Sequence, residues 1–235
     1  MSELDHWRGL PSCISRSVDV PGRASDFNIP GADWTIWIAA GFDVEPKMLW
    51  PFNRFRNPTV PRGTIEAIYG MIVAQAREPA FYAGLGVRDT VNGRFDMLIL
   101  HLWLVLRRLQ SVEGGNRLSQ ALFDHFCADM DDNLREMGVG DLTVPKRMQA
   151  FGEAFYGRSA AYDLAFEAGG EELAQALSKN VFNGEAADGA RALAAYVRET
   201  SDSLARVADE AVRKGQWAFP TPISKPMASS AGEVS

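Results

Sequence analysis

Cysteine is nearly absent: the 235 residues contain only Cys13 and Cys127. Two thiols this far apart form neither a disulfide framework nor a zinc pattern, and a reducing compartment is the simpler reading. Cations are outnumbered, with 24 Lys and Arg against 30 Asp and Glu and a formal charge of −6. That balance argues against non-specific nucleic-acid binding, although a local basic patch stays open, and no specific nucleic acid is expected as a partner. Long apolar runs are missing too. The longest, WTIWIAAGF at 34–42 and MLILHLWLVL at 97–106, fall well short of the roughly 20 residues a membrane helix needs. The opening MSELDHW carries acids where a secretory signal would be basic. The expectation is a soluble or at most peripheral protein. GxSxG, P-loop and dinucleotide fingerprints are also missing, so nothing supports nucleophilic or phosphate chemistry.

Residues 1–47 are punctuated by Pro11, Pro21, Pro30 and Pro46 with glycines between them and show no stable period. They read as an irregular or flexible extension, with one strand-like piece around Trp34–Phe42. Residues 48–63 form an aromatic and basic lead-in arm, where Trp50, Phe52 and Phe55 alternate with Arg54 and Arg56. Aromatics interleaved with arginine suit a membrane or partner contact. An arm packed on its own domain is the structural alternative.

Over 64–214 the helical period dominates, and the fold class is all-α in a single multi-helix domain. Thr64 caps a first helix whose Ile65, Ile68, Tyr69, Ile72 and Val73 share a face. Pro79 opens a short turn, PAFYAGLG. Residues 93–112 are apolar nearly all round at their centre, the mark of a buried central helix. The next helix runs from about Asn116 to Met137 and ends at Gly138 as a left-handed C-cap. Asp141 or Thr143 caps another, with Pro145 in its first turn, running to about Ala168. Gly169 and Gly170 break the chain before EELAQALSKNVF. A last long helix covers about 186–214, with a seam of small residues from Ala190 through Ala194, Val197, Ser201 and Leu204 to Ala208 and Ala211. Residues 215–235, rich in proline and serine, read as a disordered tail.

Two features invite a chemical reading. His125, Asp129, Asp132 and Glu136 fall on one stripe of a helix and would offer ligands to a divalent metal. Leu122, Phe126, Met130, Leu134 and Met137 form the opposite face, so the stripe is also what any amphipathic surface helix displays. His101, inside MLILHLWLVL, reads as a buried neutral histidine, with haem ligation as the sharp alternative. No second axial ligand is offered. A metal- or haem-dependent helical enzyme is therefore the second reading, and no cofactor is expected.

One combination is more specific. Phe81-Tyr82, the Gly93-Arg94-Phe95-Asp96 entry to the central helix, Leu134-Arg135-Glu136 leading to the Gly138-Val139-Gly140-Asp141 corner, and Phe155-Tyr156-Gly157-Arg158 follow one another in order and spacing. Over roughly residues 64–185 this pattern resembles the ubiquinol–cytochrome c chaperone family, assembly factors of respiratory complex III. The resemblance implies a helical, non-enzymatic protein that binds cytochrome b or another complex III subunit, working with a small partner chaperone or near the ribosome; a helical adaptor with a different client is the blander alternative. It looks like a bacterial-type member, in the cytoplasm and peripheral at the inner membrane face. Residues 1–47 have no counterpart in it and are either an over-called start or a species-specific extension.

A client-holding role needs an adaptable apolar surface with a polar rim rather than converging catalytic groups. Met71, Met97, Met130, Met137 and Met148 are candidate flexible lining, or simply core. Around the corner, Arg135, Asp141, Lys146, Arg147, Tyr156 and Arg158 are the candidate client-binding residues, with internal ion pairs as the alternative for the charged ones. Tyr156 and Tyr162 cannot share one line on a helix, so one of them packs inward. On this reading the elbow at 138–158 fixes an interhelical angle. Valine at Gly138 or Gly140 should then damage folding, and Arg158→Glu should weaken client binding without unfolding.

Overall fold

A helix that is apolar on every side needs neighbours on every side, and Val91–Gln110 (α2) has them. Thr90 lies in extended backbone, and its side chain accepts the Gly93 N–H at 3.1 Å, capping the helix. The computed structural model describes residues 60–222. The 1–47 extension and the Trp50, Phe52, Arg54, Phe55 and Arg56 arm lie outside them. In chain order the helices are α1 (Arg62–Ala76), α2, α3 (Gly115–Glu136), α4 (Val144–Ala168), α5 (Gly170–Val181), α6 (Ala187–Arg206) and α7 (Asp209–Arg213), with a π-helical turn at Ala80–Gly84 between α1 and α2. No strand occurs among the described residues, as the periodicity predicts.

The central helix feeds two cores. Met97, Leu100, Trp103 and Leu104 pack toward Phe81, Tyr162, Leu173, Leu177, Leu193 and Val197. Ile99, Leu102, Val105 and Leu109 pack toward Ile68, Ile72, Leu122, Phe126, Phe151 and Phe155. Burial of each such large side chain contributes roughly 1.5–3 kcal/mol, which is why α2 reads as apolar all round. The predicted seam on α6 holds for Ala190, Ala194, Val197 and Leu204, all buried. Its small side chains let α5 and α6 approach closely.

Two expectations change. The last helix does not run unbroken to 214: Val207 and Ala208 are extended and α7 starts afresh at Asp209. The cause is Arg108 on α2. Its guanidinium donates to the carbonyls of Leu204 (2.9 Å) and Val207 (2.8 Å) and to Asp209 Oδ1 (2.7 Å). A cation at a helix C-terminus satisfies orphan carbonyls that a continuing helix would have kept.

Residues 215–222, expected to begin a disordered tail, instead lie against the domain. Trp217 and Phe219 pack on the second core, and Gln75 Nε2 donates to the Pro220 carbonyl at 3.1 Å. Two aromatic side chains outweigh the local proline-rich composition. Residues 223–235 lie outside the described residues.

Candidate partner-binding site

The α3–α4 corner is built as the glycines require. Gly138 has φ +80°, and the Gly138 N–H donates to the Arg135 carbonyl (2.9 Å) while Val139 N–H donates to the Leu134 carbonyl (3.1 Å). Val144 is fully buried and anchors the start of α4, with Pro145 in its first turn. Gly140 closes a tight turn through its carbonyl, which accepts from Thr143 N–H at 2.7 Å.

The six charged and aromatic candidates separate into distinct roles. Arg135 braces the corner, bonding Asp131 at 2.6 Å and also Asp141. Both pairs are largely exposed, so their energetic weight is small. Lys146 is exposed and Arg147 partly so, and neither has an ion-pair partner among the described residues. Tyr156 is 37% exposed, its ring tilted against Phe123 at 5.8 Å and edge-on to Phe155 at 5.6 Å. Tyr162 is the tyrosine that packs inward, fully buried beside Trp103 at 5.4 Å.

Arg158 leaves the rim. Its Nη2 lies 2.8 Å from Asp96 Oδ1, with side-chain exposures of only 17% and 11%, and its guanidinium sits 5.9 Å from the Phe95 ring. Burial pushes the Asp96 carboxyl up to about 6, outweighing the opposing pull of Arg158. The two motif pieces GRFD and FYGR are therefore one contact, made where α2 begins and α4 passes it.

Sequence reasoning missed the apolar part of the surface. Leu142 at the corner is 92% exposed, Met137 66%, and Leu164 75%. Tyr156, Ala160 and Leu164 follow at i, i+4 and i+8 along the outward side of α4, and Lys146, Gln149 and Glu153 continue that exposed line toward the corner. The Tyr156–Leu164 portion runs about 12 Å at 1.5 Å per residue. A leucine on an otherwise polar line was the available signal. Of the five candidate methionines, Met97 and Met148 are core, Met71 and Met130 are half-buried, and Met137 is open. The surface can hold an apolar segment with a polar border; it gathers no converging acid, base or nucleophile.

Asp129, His125 and His101, which carry the two chemical alternatives, have other partners. Asp129 accepts from Tyr69 Oη–H at 2.7 Å, and the His125 ring stands edge-on to Tyr69 at 4.9 Å. No group of three or more His, Cys, Asp or Glu side chains that could hold a metal occurs among the described residues. His101 is fully buried, and burial pulls it down to about 4. As a neutral ring, its Nδ1–H donates to the Met97 carbonyl (2.7 Å) and its Nε2 accepts from Tyr196 Oη–H (3.0 Å). Both nitrogens are thereby used, which is the core-histidine reading. Cys127 is buried, and burial pushes its thiol up to about 12, away from reactivity.

Comparison with known proteins gives the same direction. The family described as Ubiquinol-cytochrome C chaperone matches residues 83–219, from the π turn through Phe219. The chain is 26% identical over 135 residues to the ubiquinol-cytochrome-c reductase complex assembly factor 1 of Xenopus laevis, covering 56% of this chain and 68% of that protein. It is 27% identical over 140 residues to the Mus musculus factor of that name, covering 58% of this chain and 48% of that protein, so it spans about half the mouse relative's length. The crystal structure of the Cbp3 homolog from Brucella abortus superposes with a TM-score of 0.63 at 40% identity, covering 68% of this chain and 90% of that one. A family match over more than half the sequence, together with the shared fold, makes this chain a member of the ubiquinol-cytochrome c chaperone family.

Proposed function

We propose that the chain is a non-catalytic assembly chaperone of complex III that holds cytochrome b, or another subunit, along the outward side of α4 and the corner before it. The observation that supports this most is the exposed line of Tyr156, Ala160 and Leu164 on α4, with Leu142 and Met137 exposed separately at the corner, beyond Lys146, Gln149 and Glu153. Tyr156 and Leu164 are the large apolar side chains that α4 leaves open on this face. Lys146 and Arg147, without an ion-pair partner among the described residues, supply cations beside it, while Arg135 and Asp141 brace the elbow that presents it. The aromatic arm of Trp50, Phe52 and Phe55 with Arg54 and Arg56 is a second, peripheral contact to partner or membrane. A small partner chaperone or the ribosome shares the work in this reading. The working location is the bacterial cytoplasm at the inner face of the cytoplasmic membrane, where a cytochrome b client inserts. Among the described residues no helix is long and apolar enough to cross a membrane.

The test uses the full chain carrying Leu142→Glu and Leu164→Glu. Affinity capture from membranes should recover cytochrome b with wild type and lose most of it with the double variant, at unchanged melting temperature. Reduced-minus-oxidised spectra should show the b-type haem signal of complex III falling when the gene is removed. Capture of cytochrome b at wild-type level by the double variant would overturn the assignment to this face.

A further inference from the structure

Burial pushes up three carboxyls among the described residues, those of Asp96, Asp124 and Asp163. Two of them face an arginine: Asp96 lies 2.8 Å from Arg158, and Asp163 lies 2.9 Å from Arg107. Asp124 is different. Its one partner is Gln120, a turn earlier on α3, whose Nε2 donates to Oδ1 at 2.7 Å. Asp124 makes no ion pair among the described residues, and only that amide opposes the effect of burial on its carboxyl. A neutral amide offsets little of the cost of half-burying a carboxylate.

Tyr156 is the neighbour across the α3–α4 interface. Its ring is tilted 46° to that of Phe123, which precedes Asp124 in the chain. Burial pushes the Tyr156 hydroxyl up, and the charge of Asp124 adds to the push, as Cys127 does. Both shifts have one sign, and a cation placed between the two groups would oppose both. The place is open to one: Phe123 and Asp124 are half-buried and Tyr156 is exposed. Aromatic faces attract cations, guanidinium above ammonium, and a carboxylate alongside supplies the counter-charge.

We propose that Asp124, Tyr156 and Phe123 form a site for an arginine side chain of the held subunit, at the end of an apolar segment that runs on toward Leu164. The proposal rests on the outward side of α4 being the holding face, and it names what that face selects: a cation beside an apolar stretch. The apolar segments of membrane proteins carry lysine and arginine at their cytoplasmic ends, so this is the chemistry such a segment offers. Ala160 and Leu164, one and two turns beyond Tyr156, take the apolar part. Charge complementarity of this kind selects among partners more than it adds affinity.

The experiment titrates the full chain with a fluorescent peptide of leucine, alanine and serine that ends in arginine, and with a counterpart that ends in glutamine. Wild type should bind the arginine peptide about tenfold more tightly. Asp124→Asn, which keeps the side-chain shape, should bind both at the glutamine level with an unchanged melting temperature. Asp124→Lys should prefer a third peptide ending in glutamate, a reversal that lost packing alone does not produce. Leu164→Glu should weaken the arginine and glutamine peptides alike. Equal binding of these two by wild type, with both weakened by Leu164→Glu, would overturn the arginine site and leave the holding face standing. Binding of neither peptide removes the face and the site together.

Discussion

Arg158 Nη2 lies 2.8 Å from Asp96 Oδ1, and the pair joins the first turns of α2 to the middle of α4 with both side chains mostly buried. Breaking a buried pair leaves an uncompensated charge, which costs roughly 3–5 kcal/mol. Arg158→Glu should therefore lower the urea midpoint substantially, contrary to a pure client-binding role. The swapped double variant, Asp96→Arg with Arg158→Asp, should recover part of the loss. Equilibrium urea melts of the three chains check this.

Two buried groups pull stability in opposite directions with pH. Asp96 is pushed up from 3.8 to about 6. The folded chain therefore keeps a proton that the unfolded one has released, and this stabilisation, present below about 3.8, is lost as pH rises through 6. His101 is pulled down from 6.5 to about 4. Its contribution is full above 6.5 and is lost as pH falls through 4. Between those values the two slopes offset each other. Asp96→Asn should expose a stability that rises with pH, and His101→Gln one that falls. Melting temperatures from pH 4 to 7 read both slopes.

Glycine at 93 is a matter of space. A Cβ there would meet the Arg88 carbonyl oxygen at 2.0 Å, so even Gly93→Ala must displace the Thr90 cap and the start of α2. Gly138→Val should destabilise through its positive φ rather than through any contact. Gly140 has ordinary backbone and open space around it, so Gly140→Val should stay within about 0.5 kcal/mol of wild type. Of the two corner glycines, the backbone geometry therefore predicts a requirement at Gly138 alone. Thermal melts of the three variants rank them.

Arg108 sets where α6 stops. Its side chain is 12% exposed and bonds two terminal carbonyls and Asp209. Arg108→Ala should cost about 1.5–3 kcal/mol, and amide exchange should quicken first in residues 204–213. Arg108→Lys should recover little, since an ammonium cannot match the planar fork.

What the sequence determined by itself was whatever depends on local period and local backbone chemistry. The 3.6-residue pattern gives α1 to α6, the all-round apolar run gives the central position of α2, and Gly138 with Pro145 gives the corner. The neutral burial of His101 follows from its place in MLILHLWLVL. Even the family pattern was legible, because GRFD and FYGR are contiguous words. Tertiary structure decided what depends on which distant groups meet. Arg158 finds Asp96 across sixty-odd residues of chain, Arg108 stops a helix that propensity would have continued, and Trp217 with Phe219 turns the start of an apparent tail into a packed segment. It also left Leu142 and Leu164 exposed. Side-chain partners are chosen by three-dimensional proximity and desolvation, and neither leaves a period to read.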